Sequence, residues 1–450
     1  MRFNNNQVKR ERFFWSYYTA ISLIAAVVLL QVNIILQSLV FFVLVFVAMH
    51  RSQRYGISHP ISWFSIFFYL YAVSYPLLML TLGPSNVVLE RAIPLNITAY
   101  CAFILPSAFL TPFGIRLPHS TMSPASLRIV CYAILSICCI LIIYIVSSGI
   151  SSKREFIDTL GGSTIGSLYA MFSFAALAFS TYVLSTARHT AAGEKSITVF
   201  SFLGLATFLV LVVGFGVTGE RDYIFRFLLF SFLLYFSAQY RQKYRSYYLI
   251  LAALSLYIIL PFSQAAKSFL LSGGIDYTGF SIEGIFKNEF SSAGRNLHYV
   301  MLREITGFNG ETIIWDLKRF VGQSESTGAW FNSEVRNLFG DGGTSGWGFS
   351  LAAEGYINFG YVGPAMIMFA LGLVTAHLHS FARKSELWFI FYLSYMPMMI
   401  YVLRADLANY LGLGFKVNLA MVLVLWCVRY LGALSSAGNK RKTKRRSRPS

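Results

Sequence analysis

The stretch Phe13–Met49 reads FFWSYYTAISLIAAVVLLQVNIILQSLVFFVLVFVAM and contains no Asp, Glu, Lys or Arg. A helix needs about 20 consecutive apolar residues to cross the hydrocarbon core of a bilayer. The stretch is long enough for two such helices, joined at Gln31-Val32-Asn33. Similar blocks recur along the chain, for example at Ile197–Val217. The sequence therefore predicts a protein built from membrane-spanning segments.

The composition supports the same conclusion. Hydrophobic residues form 56% of the 450 positions and charged residues only 12%, whereas a soluble domain is about one quarter charged. Strands of a membrane β-barrel alternate polar and apolar residues over about 10 positions, and the apolar blocks here do not alternate. We predict an all-α polytopic membrane protein with about 12 transmembrane helices.

The N-terminus has basic residues, Lys9, Arg10 and Arg12, before its first apolar segment, as a secretory signal does. No small-residue cleavage site follows and a second apolar segment comes almost at once, so we predict a retained first helix. Every cysteine falls inside a predicted span, which argues against a disulfide framework or a cysteine metal site. The cysteines are Cys101, Cys131, Cys138, Cys139 and Cys427.

The charges divide unequally between the two faces of the membrane. With the N-terminus inside, the inner face receives 23 Lys and Arg but three acids, and the outer face the other 14 basic and 16 acidic residues. An excess of Lys and Arg marks cytoplasmic loops, so we predict that both termini are cytoplasmic. The basic tail, 434–450, is expected to touch anionic lipid and not nucleic acid. The predicted spans lie near residues 13–30, 34–49, 61–82, 96–113, 128–147, 167–186, 197–217, 223–239, 246–263, 357–380, 386–403 and 415–433.

One outer loop, 264–350, is much longer than the others. A structureless loop of this length is unusual, and apolar residues at three- and four-residue spacing predict helices within it. The predicted helices are Ser281–Phe290, Ala293–Ile305, Glu311–Phe320 and Trp330–Phe339. The predicted organisation is nine membrane helices in 1–263, one large helical periplasmic loop in 264–350, three membrane helices in 351–433, and the tail.

Several chemical signatures are absent from the sequence. It has no phosphate-cradling GxxxxGK[ST], no GxSxG, no HExxH and no Asp-x-Asp pair for a metal-bound nucleotide sugar. An ATP-driven pump or a nucleotide-sugar transferase is therefore unsupported, and we predict neither a cofactor nor a metal.

Arginines on the predicted outer face are the strongest chemical signal. Arg221 and Arg404 lie at helix ends, and Arg295 and Arg303 lie in the long loop. A guanidinium matches phosphate geometry and stays charged in a partly dry site, so these residues are candidates for holding a pyrophosphate and stabilising it as a leaving group. The alternative is an interfacial arginine that snorkels towards water, or a solvated loop side chain.

One histidine and three acidic residues are candidates for a general base. His298 is the one histidine on the predicted outer face, and it shares about 140° of a helix surface with Arg295 and Arg303. Glu354 lies where a span begins, a costly place for a carboxylate. Asp406 and Asp341 are further candidates, and a surface histidine with no role remains the alternative for His298.

From Gly343 to Gly363 the chain reads GTSGWGFSLAAEGYINFGYVG. This resembles the segment that closes the large periplasmic loop of bacterial O-antigen and oligosaccharide repeat-unit polymerases of the Wzy type, where a Gly-rich stretch precedes Ser-x-x-x-Glu-x-Tyr-x-Asn-Phe-Gly-x-x-Gly and a membrane helix. Gly219-Glu-Arg221 and Leu403-Arg-Ala-Asp406 are similar as well, but Arg-x10-Gly motifs of some members have no clear counterpart. The matching residues are Ser350, Glu354, Tyr356, Asn358, Phe359, Gly360 and Gly363.

The resemblance implies a metal-independent glycosyltransferase in the bacterial inner membrane. A growing glycan on undecaprenyl pyrophosphate would pass to a sugar hydroxyl of the next lipid-linked repeat. A chain-length regulator acting as co-polymerase is an expected partner. Glu354 or His298 would be the base, and Arg221, Arg295, Arg303 and Arg404 would hold the pyrophosphate. The expected substrate contacts are Tyr356, Asn358, Trp347 and Asp406, with Trp315 and Trp330 as further sugar-stacking candidates.

Three alternatives to polymerisation remain open from the sequence, and one of them is a purely structural membrane scaffold. An O-antigen ligase would use the same donor but transfer the chain to lipid A–core. A 12-helix polysaccharide flippase or transporter would be expected to show internal repeats and charges at the membrane midplane, and the sequence displays neither feature.

Overall fold

The structure is a computed structural model, and helices are the regular secondary structure of the residues that it describes. These are residues 5–83, 87–111, 124–150, 155, 156, 159, 165, 166, 168–173, 175, 176, 204–214, 247–259, 289–322, 325–339, 348–419, 423, 426 and 430. Within these ranges no β-strand is present, which confirms the predicted all-α class.

The helices are numbered here in chain order within the described ranges. The first seven are α1 (Asn5–Val28), α2 (Ile34–Ser52), α3 (Pro60–Leu82), α4 (Val87–Leu110), α5 (Pro124–Ser147), α6 (Gly204–Gly214) and α7 (Tyr247–Ile259). The next six are α8 (Glu289–Leu302), α9 (Glu311–Phe320), α10 (Thr327–Trp330), α11 (Leu351–Phe359), α12 (Gly363–Ala382) and α13 (Glu386–Val402). Shorter turns follow some of them, at Phe331–Val335, Arg336–Phe339, Gly360–Val362, Leu407–Asn409 and Tyr410–Val417.

Six segments of the described chain are long and apolar enough to cross a membrane. They are Asn6–Gln31, Ile34–Tyr55, Pro60–Leu82, Val87–Leu110, Ile129–Ser147 and Leu351–Ala382. Each overlaps a predicted span, and many of their large apolar side chains are exposed on the protein surface, as lipid-facing side chains are. The chain is therefore a multi-pass membrane protein. The predicted span 223–239 lies outside the described residues, so the count of 12 stays a prediction.

The described chain divides into two compact units. The first unit consists of Met1–Arg116, Gln239–Phe381 and Met398–Gly414. Its central helix is α3, which is buried along most of its length and packs against α2, α4 and α8. Gly294 of α8 allows a close approach, because an added Cβ would lie 2.9 Å from Cβ of Tyr75.

A buried carboxylate fixes one end of the α1–α2 pair in this unit. Glu11 is 4% exposed and accepts hydrogen bonds from Arg51, Arg54 and the hydroxyl of Tyr55. Two cations and a hydroxyl compensate the cost of removing the carboxylate from water. The contact places the N-terminal charges and Arg51/Arg54 at the same end of the helix pair, as the predicted topology requires.

The second unit consists of Leu117–Ala238, Ala382–Pro397 and Phe415–Ser450. Its described core contains Ile142, Ile145, Ile150, Phe156 and Tyr169.

The sequence predicts that the cysteines lie in membrane spans and form no disulfide framework. Cys101, Cys131, Cys138 and Cys139 are free thiols, and Cys427 lies outside the described residues.

The helices predicted inside the long loop are largely present. α9 has the predicted bounds, Glu311–Phe320. The predicted helix Ala293–Ile305 is α8, which begins earlier and ends at Leu302 because Glu304 adopts a left-handed conformation with φ 51°. Trp330–Phe339 is helical, but it is divided between α10 and the two turns that follow it. The predicted helix Ser281–Phe290 lies outside the described residues up to position 288.

Candidate functional site

The motif of the Gly343–Gly363 segment forms α11 and its junction with α12. Ser350 caps α11, because its Oγ accepts a hydrogen bond from the Ala353 N–H at 3.4 Å. Gly360 ends this helix with φ 58°, a conformation that favours glycine. The chain then folds back so closely that the backbones of Gly355 and Gly363 touch, and a Cβ on Gly355 would lie 2.5 Å from the carbonyl carbon of Gly363.

Three carboxylates converge beside α11 on one short turn. Three successive backbone N–H groups each donate a hydrogen bond of 2.9 Å to one of these carboxylates. The N–H of Leu407 donates to Glu354, that of Ala408 to Asp316, and that of Asn409 to Asp406. The three side chains come from α11, α9 and the corner after α13, and their exposures are 0%, 0% and 1%. Three distant parts of the sequence are therefore held together by one buried acidic cluster, which is called the carboxylate cluster below.

Asp316 is the member of the carboxylate cluster that the sequence did not single out. Its Oδ1 accepts hydrogen bonds from the N–H and the hydroxyl of Thr327, at 2.7 and 3.0 Å. Burial, and secondarily the nearby charge of Asp406, raise the pKa of Asp316 to about 6. Burial and like charge both oppose ionisation, so Asp316 binds a proton at a higher pH than an exposed aspartate does.

Glu354 is fully buried and interacts electrostatically with Asp316 and Asp406. Its Oε2 accepts the Leu407 N–H, whereas Oε1 meets no hydrogen-bond donor in the described part of the chain. A buried acceptor without a donor is costly. A proton held between Glu354 and Asp316 would satisfy it, and a reacting hydroxyl group would do the same. Glu354 therefore has the acceptor capacity that a general base needs.

Asn358 and Asp406 are engaged by the protein itself. The Asn358 amide donates to Thr312 Oγ1 at 2.6 Å and to the Glu354 carbonyl at 2.8 Å, and its Oδ1 accepts the Gly310 N–H at 2.9 Å. Asp406 accepts hydrogen bonds from the Gly328 N–H at 2.8 Å and from the backbone N–H and the side-chain amide of Asn409. These bonds hold α9 and α10 against the carboxylate cluster.

Half-buried aromatic rings adjoin the carboxylate cluster on α9 and α10. Trp315 precedes Asp316 in sequence, and Trp330 ends α10. Their rings lie 6.3 Å apart, and each packs edge-on against Phe308, at 5.7 and 5.1 Å. Tyr356 is 4% exposed and packs against Tyr361 at 5.4 Å. Of the sequence-predicted stacking residues, Trp315 and Trp330 therefore retain ring surface near the cluster.

Arg295 and His298 lie on a different face of α8 from the one that packs against α11. Leu297, Val300 and Met301 join the core around α11, whereas His298 packs its ring 5.6 Å from that of Tyr75 in α3. Arg295 also interacts electrostatically with Tyr75. Burial lowers the pKa of His298, so the imidazole is neutral near pH 7. The two predicted bases, His298 and Glu354, thus lie in separate environments.

Two further predicted arginines, Arg303 and Arg404, keep some exposure to solvent. Arg303 directly follows α8 and is exposed. Arg404 is partly exposed, with its guanidinium carbon 4.8 Å from the centre of the Tyr401 ring. Its carbonyl accepts the Phe349 N–H at 2.9 Å, which ties the corner Leu403–Asp406 to the start of α11. Arg221, Trp347 and Asp341 lie outside the described residues.

The chain resembles one known family in the segment that contains this cluster. Residues 290–432 match the model of the family O-antigen polysaccharide polymerase Wzy. The match contains the whole carboxylate cluster together with Arg295, His298, Arg303 and Arg404, and it leaves Arg221 outside. No curated protein and no solved structure matches the chain.

The Wzy match agrees with the resemblance that the shorter motif predicted. It covers about the last third of the chain, and the structure explains why the motif residues fall where they do. Ser350, Gly355, Asn358, Gly360 and Gly363 shape α11 and its junction with α12, and Glu354 enters the carboxylate cluster. In the described residues no group of three His, Cys, Asp or Glu side chains is arranged to hold a metal ion.

Proposed function

We propose that this protein polymerises undecaprenyl-pyrophosphate-linked oligosaccharide repeat units into O-antigen or a related surface polysaccharide. The observation that carries the proposal is the Wzy match over residues 290–432. The reaction would take place at the periplasmic face of the bacterial inner membrane, in a chain of about 12 spans with both termini in the cytoplasm. The apolar helices support a membrane location, and the charge asymmetry of the sequence supports this orientation.

The proposed reaction is a glycosyl transfer between two lipid-linked glycans. A hydroxyl oxygen of the incoming repeat attacks the anomeric carbon of the growing chain. The bond from that carbon to the pyrophosphate oxygen breaks, the configuration inverts, and the hydroxyl proton passes to a protein base. Undecaprenyl pyrophosphate leaves with the bonding electrons. The protein must therefore supply a proton acceptor and stabilise a leaving diphosphate, and neither task requires a metal in this proposal.

Glu354 is the proposed base. Its buried Oε1 meets no donor in the described chain, and neighbouring carboxylates increase the proton affinity of a carboxylate. A neutral His298 is the second candidate, in a separate pocket of α8. Because Glu354 is 0% exposed, the acceptor can reach it only when α9 and α10 move away from the turn Leu407–Asn409. We therefore propose that the bound substrate opens this contact.

The arginines and aromatic residues are assigned to substrate binding. Arg303 and Arg404 are accessible and could clasp the diphosphate, with Arg295 and Arg221 as further phosphate ligands. Trp315 and Trp330, together with Trp347, would stack on sugar rings, whereas Tyr356 is 4% exposed and would support the site from the core. Asn358 and Asp406 would position the site, because direct contact with sugar would break the hydrogen bonds that they make to the protein. A chain-length regulator remains a possible partner.

A deletion strain tests the proposed function. We expect lipopolysaccharide with a single repeat unit and no ladder, with the ladder restored by the intact gene. Lipid A–core without any repeat, together with accumulated long lipid-linked chains, would contradict polymerisation and identify a ligase. Lipid-linked single repeats trapped on the cytoplasmic side would contradict it too, and would identify a flippase.

A further inference from the structure

Helix α9 has its polar and apolar faces in an unusual arrangement. Thr312 and Asp316, four residues apart, are both 0% exposed and point into the protein. On the opposite side, Ile314 and Leu317 are each 49% exposed and Val321, directly after the helix, is 64% exposed. A helix on a water-facing protein surface would show the reverse pattern.

The exposed apolar side chains form one continuous stripe. At about 100° per residue, Ile314, Leu317 and Val321 fall within about 60° of arc, on the side opposite Asp316. Lys318 and Arg319 lie in the last turn of the helix, and both are exposed. An apolar stripe with basic neighbours is the pattern of a helix that lies in the membrane interface, where cations meet lipid phosphates.

The position of α9 in the fold agrees with this pattern. Its first turn is fixed to the end of α11, where the Gly310 N–H donates to Asn358 and Gly310 lies against the Phe359 ring. The chain continues from there into α12, part of a membrane-spanning segment. Tyr361, Val362 and Met366 at this junction are 50%, 63% and 50% exposed. The stripe therefore begins beside the junction of α11 and α12, which lies within the apolar segment Leu351–Ala382.

We propose that α9 lies flat on the membrane, with Ile314, Leu317 and Val321 inserted among lipid acyl chains and Lys318 and Arg319 at the phosphate level. The occupant of the stripe is bilayer lipid. The inner face of the same helix then carries Asp316 into the carboxylate cluster, so the cluster lies close to the membrane surface. This inference does not depend on the proposed function.

Lipid-borne quenchers test the position of the stripe. The purified full chain, with its native cysteines replaced, receives one fluorophore-labelled cysteine at position 314, 317 or 321, in vesicles of phosphatidylethanolamine and phosphatidylglycerol. Matched controls carry the label at position 311, in the first turn of α9, or at position 325, shortly after the helix, and both positions are exposed and lie outside the stripe. We expect doxyl-lipid to quench the stripe labels at least threefold more strongly than the controls, and aqueous iodide to show the reverse order.

A second measurement uses the unmodified protein, so it does not depend on the variants folding. Phospholipid with a photoreactive acyl chain is irradiated in the same vesicles, and adducts are mapped by mass spectrometry. We expect adducts on Ile314, Leu317 or Val321, with Met366 and Phe369 of α12 as positive controls. Adducts on α12 alone, equal iodide quenching at all five labelled positions, or crosslinking of position 321 between two copies in place of lipid quenching would each overturn the proposal.

Discussion

Asp316 makes the stability of this protein depend on pH, because its side chain is buried. Its folded pKa, raised to about 6, lies above the usual value of about 3.9, so folding favours the protonated acid. The stabilisation is therefore complete below about pH 4 and is lost as the pH rises through about 6. Above that range Asp316 contributes no further pH dependence.

The variant Asp316→Asn tests this pH dependence. Asn mimics the protonated acid but does not titrate. The free energy of unfolding of the wild type minus that of the variant should therefore fall as the pH rises from 4.5 to 7. The slope from this single group is at most about 1.4 kcal/mol per pH unit. Thermal unfolding in detergent at several pH values measures it. A wild-type free energy of unfolding that rises with pH relative to that of the variant would contradict the raised pKa.

Asn358 allows a test of the hydrogen bonds that hold α9. Asn358→Ala leaves the Gly310 N–H and the Thr312 hydroxyl without their partner, which should lower the free energy of unfolding by about 2 kcal/mol. The matched control is Asn337→Ala, an exposed asparagine whose amide donates to the Ser333 carbonyl. The unfolding midpoint should fall clearly for position 358 and stay near wild type for position 337. Equal shifts of the two unfolding midpoints would show that the Asn358 hydrogen bonds do not stabilise the fold more than an exposed asparagine does.

At the scale of elements, the junction of α11 and α12 depends on two glycines in contact. In Gly355→Ala the new Cβ would lie 2.5 Å from the Gly363 backbone, so the helices must separate at a cost of about 1–3 kcal/mol. Gly412→Ala is the control, since nothing lies within 4 Å of its added Cβ. Unfolding temperature and the yield of folded protein should drop for Gly355→Ala only. A normal yield and midpoint for Gly355→Ala would contradict the close approach.

Helix α9 also shows where sequence-based prediction succeeds and fails. Its predicted bounds are confirmed, and Glu311 in the first turn and Lys318 and Arg319 in the last turn favour a helix over this stretch. The role of Asp316 was missed, because a helical pattern is normally interpreted with its apolar face inward. Here the polar face is inward, and only the three-dimensional environment shows it.

The motif residues of α11 were found from the sequence, but their contacts were not. Glu354 and Asp406 are far apart in the chain, and nothing in the spacing indicated that both would bond the turn Leu407–Asn409. Likewise, Arg295 and His298 share an arc of α8, as the spacing predicted, yet that arc faces Tyr75 and not the core around Glu354. Local patterns predict elements, whereas pairs of distant residues depend on tertiary packing.

For the whole molecule, the distribution of charge makes a prediction about topology. We expect cysteines introduced at positions 303 and 404 to react with a membrane-impermeant maleimide added to intact spheroplasts, and a cysteine in the tail 434–450 to react only after permeabilisation. The physical reason is the excess of Lys and Arg assigned to the cytoplasmic face. Labelling of positions 303 and 404 from opposite sides would contradict a shared phosphate site.

The central claim is that Glu354 of the carboxylate cluster serves polymerisation. Glu354→Gln keeps an oxygen for the Leu407 N–H and offers its amide to Asp316, so the fold should be retained while the base is lost. The control is Glu334→Gln, an exposed glutamate outside the cluster. The decisive measurement is the lipopolysaccharide ladder of a deletion strain that expresses each variant at wild-type protein level. We predict single-repeat product for Glu354→Gln and a full ladder for Glu334→Gln, and a full ladder for both would contradict the account.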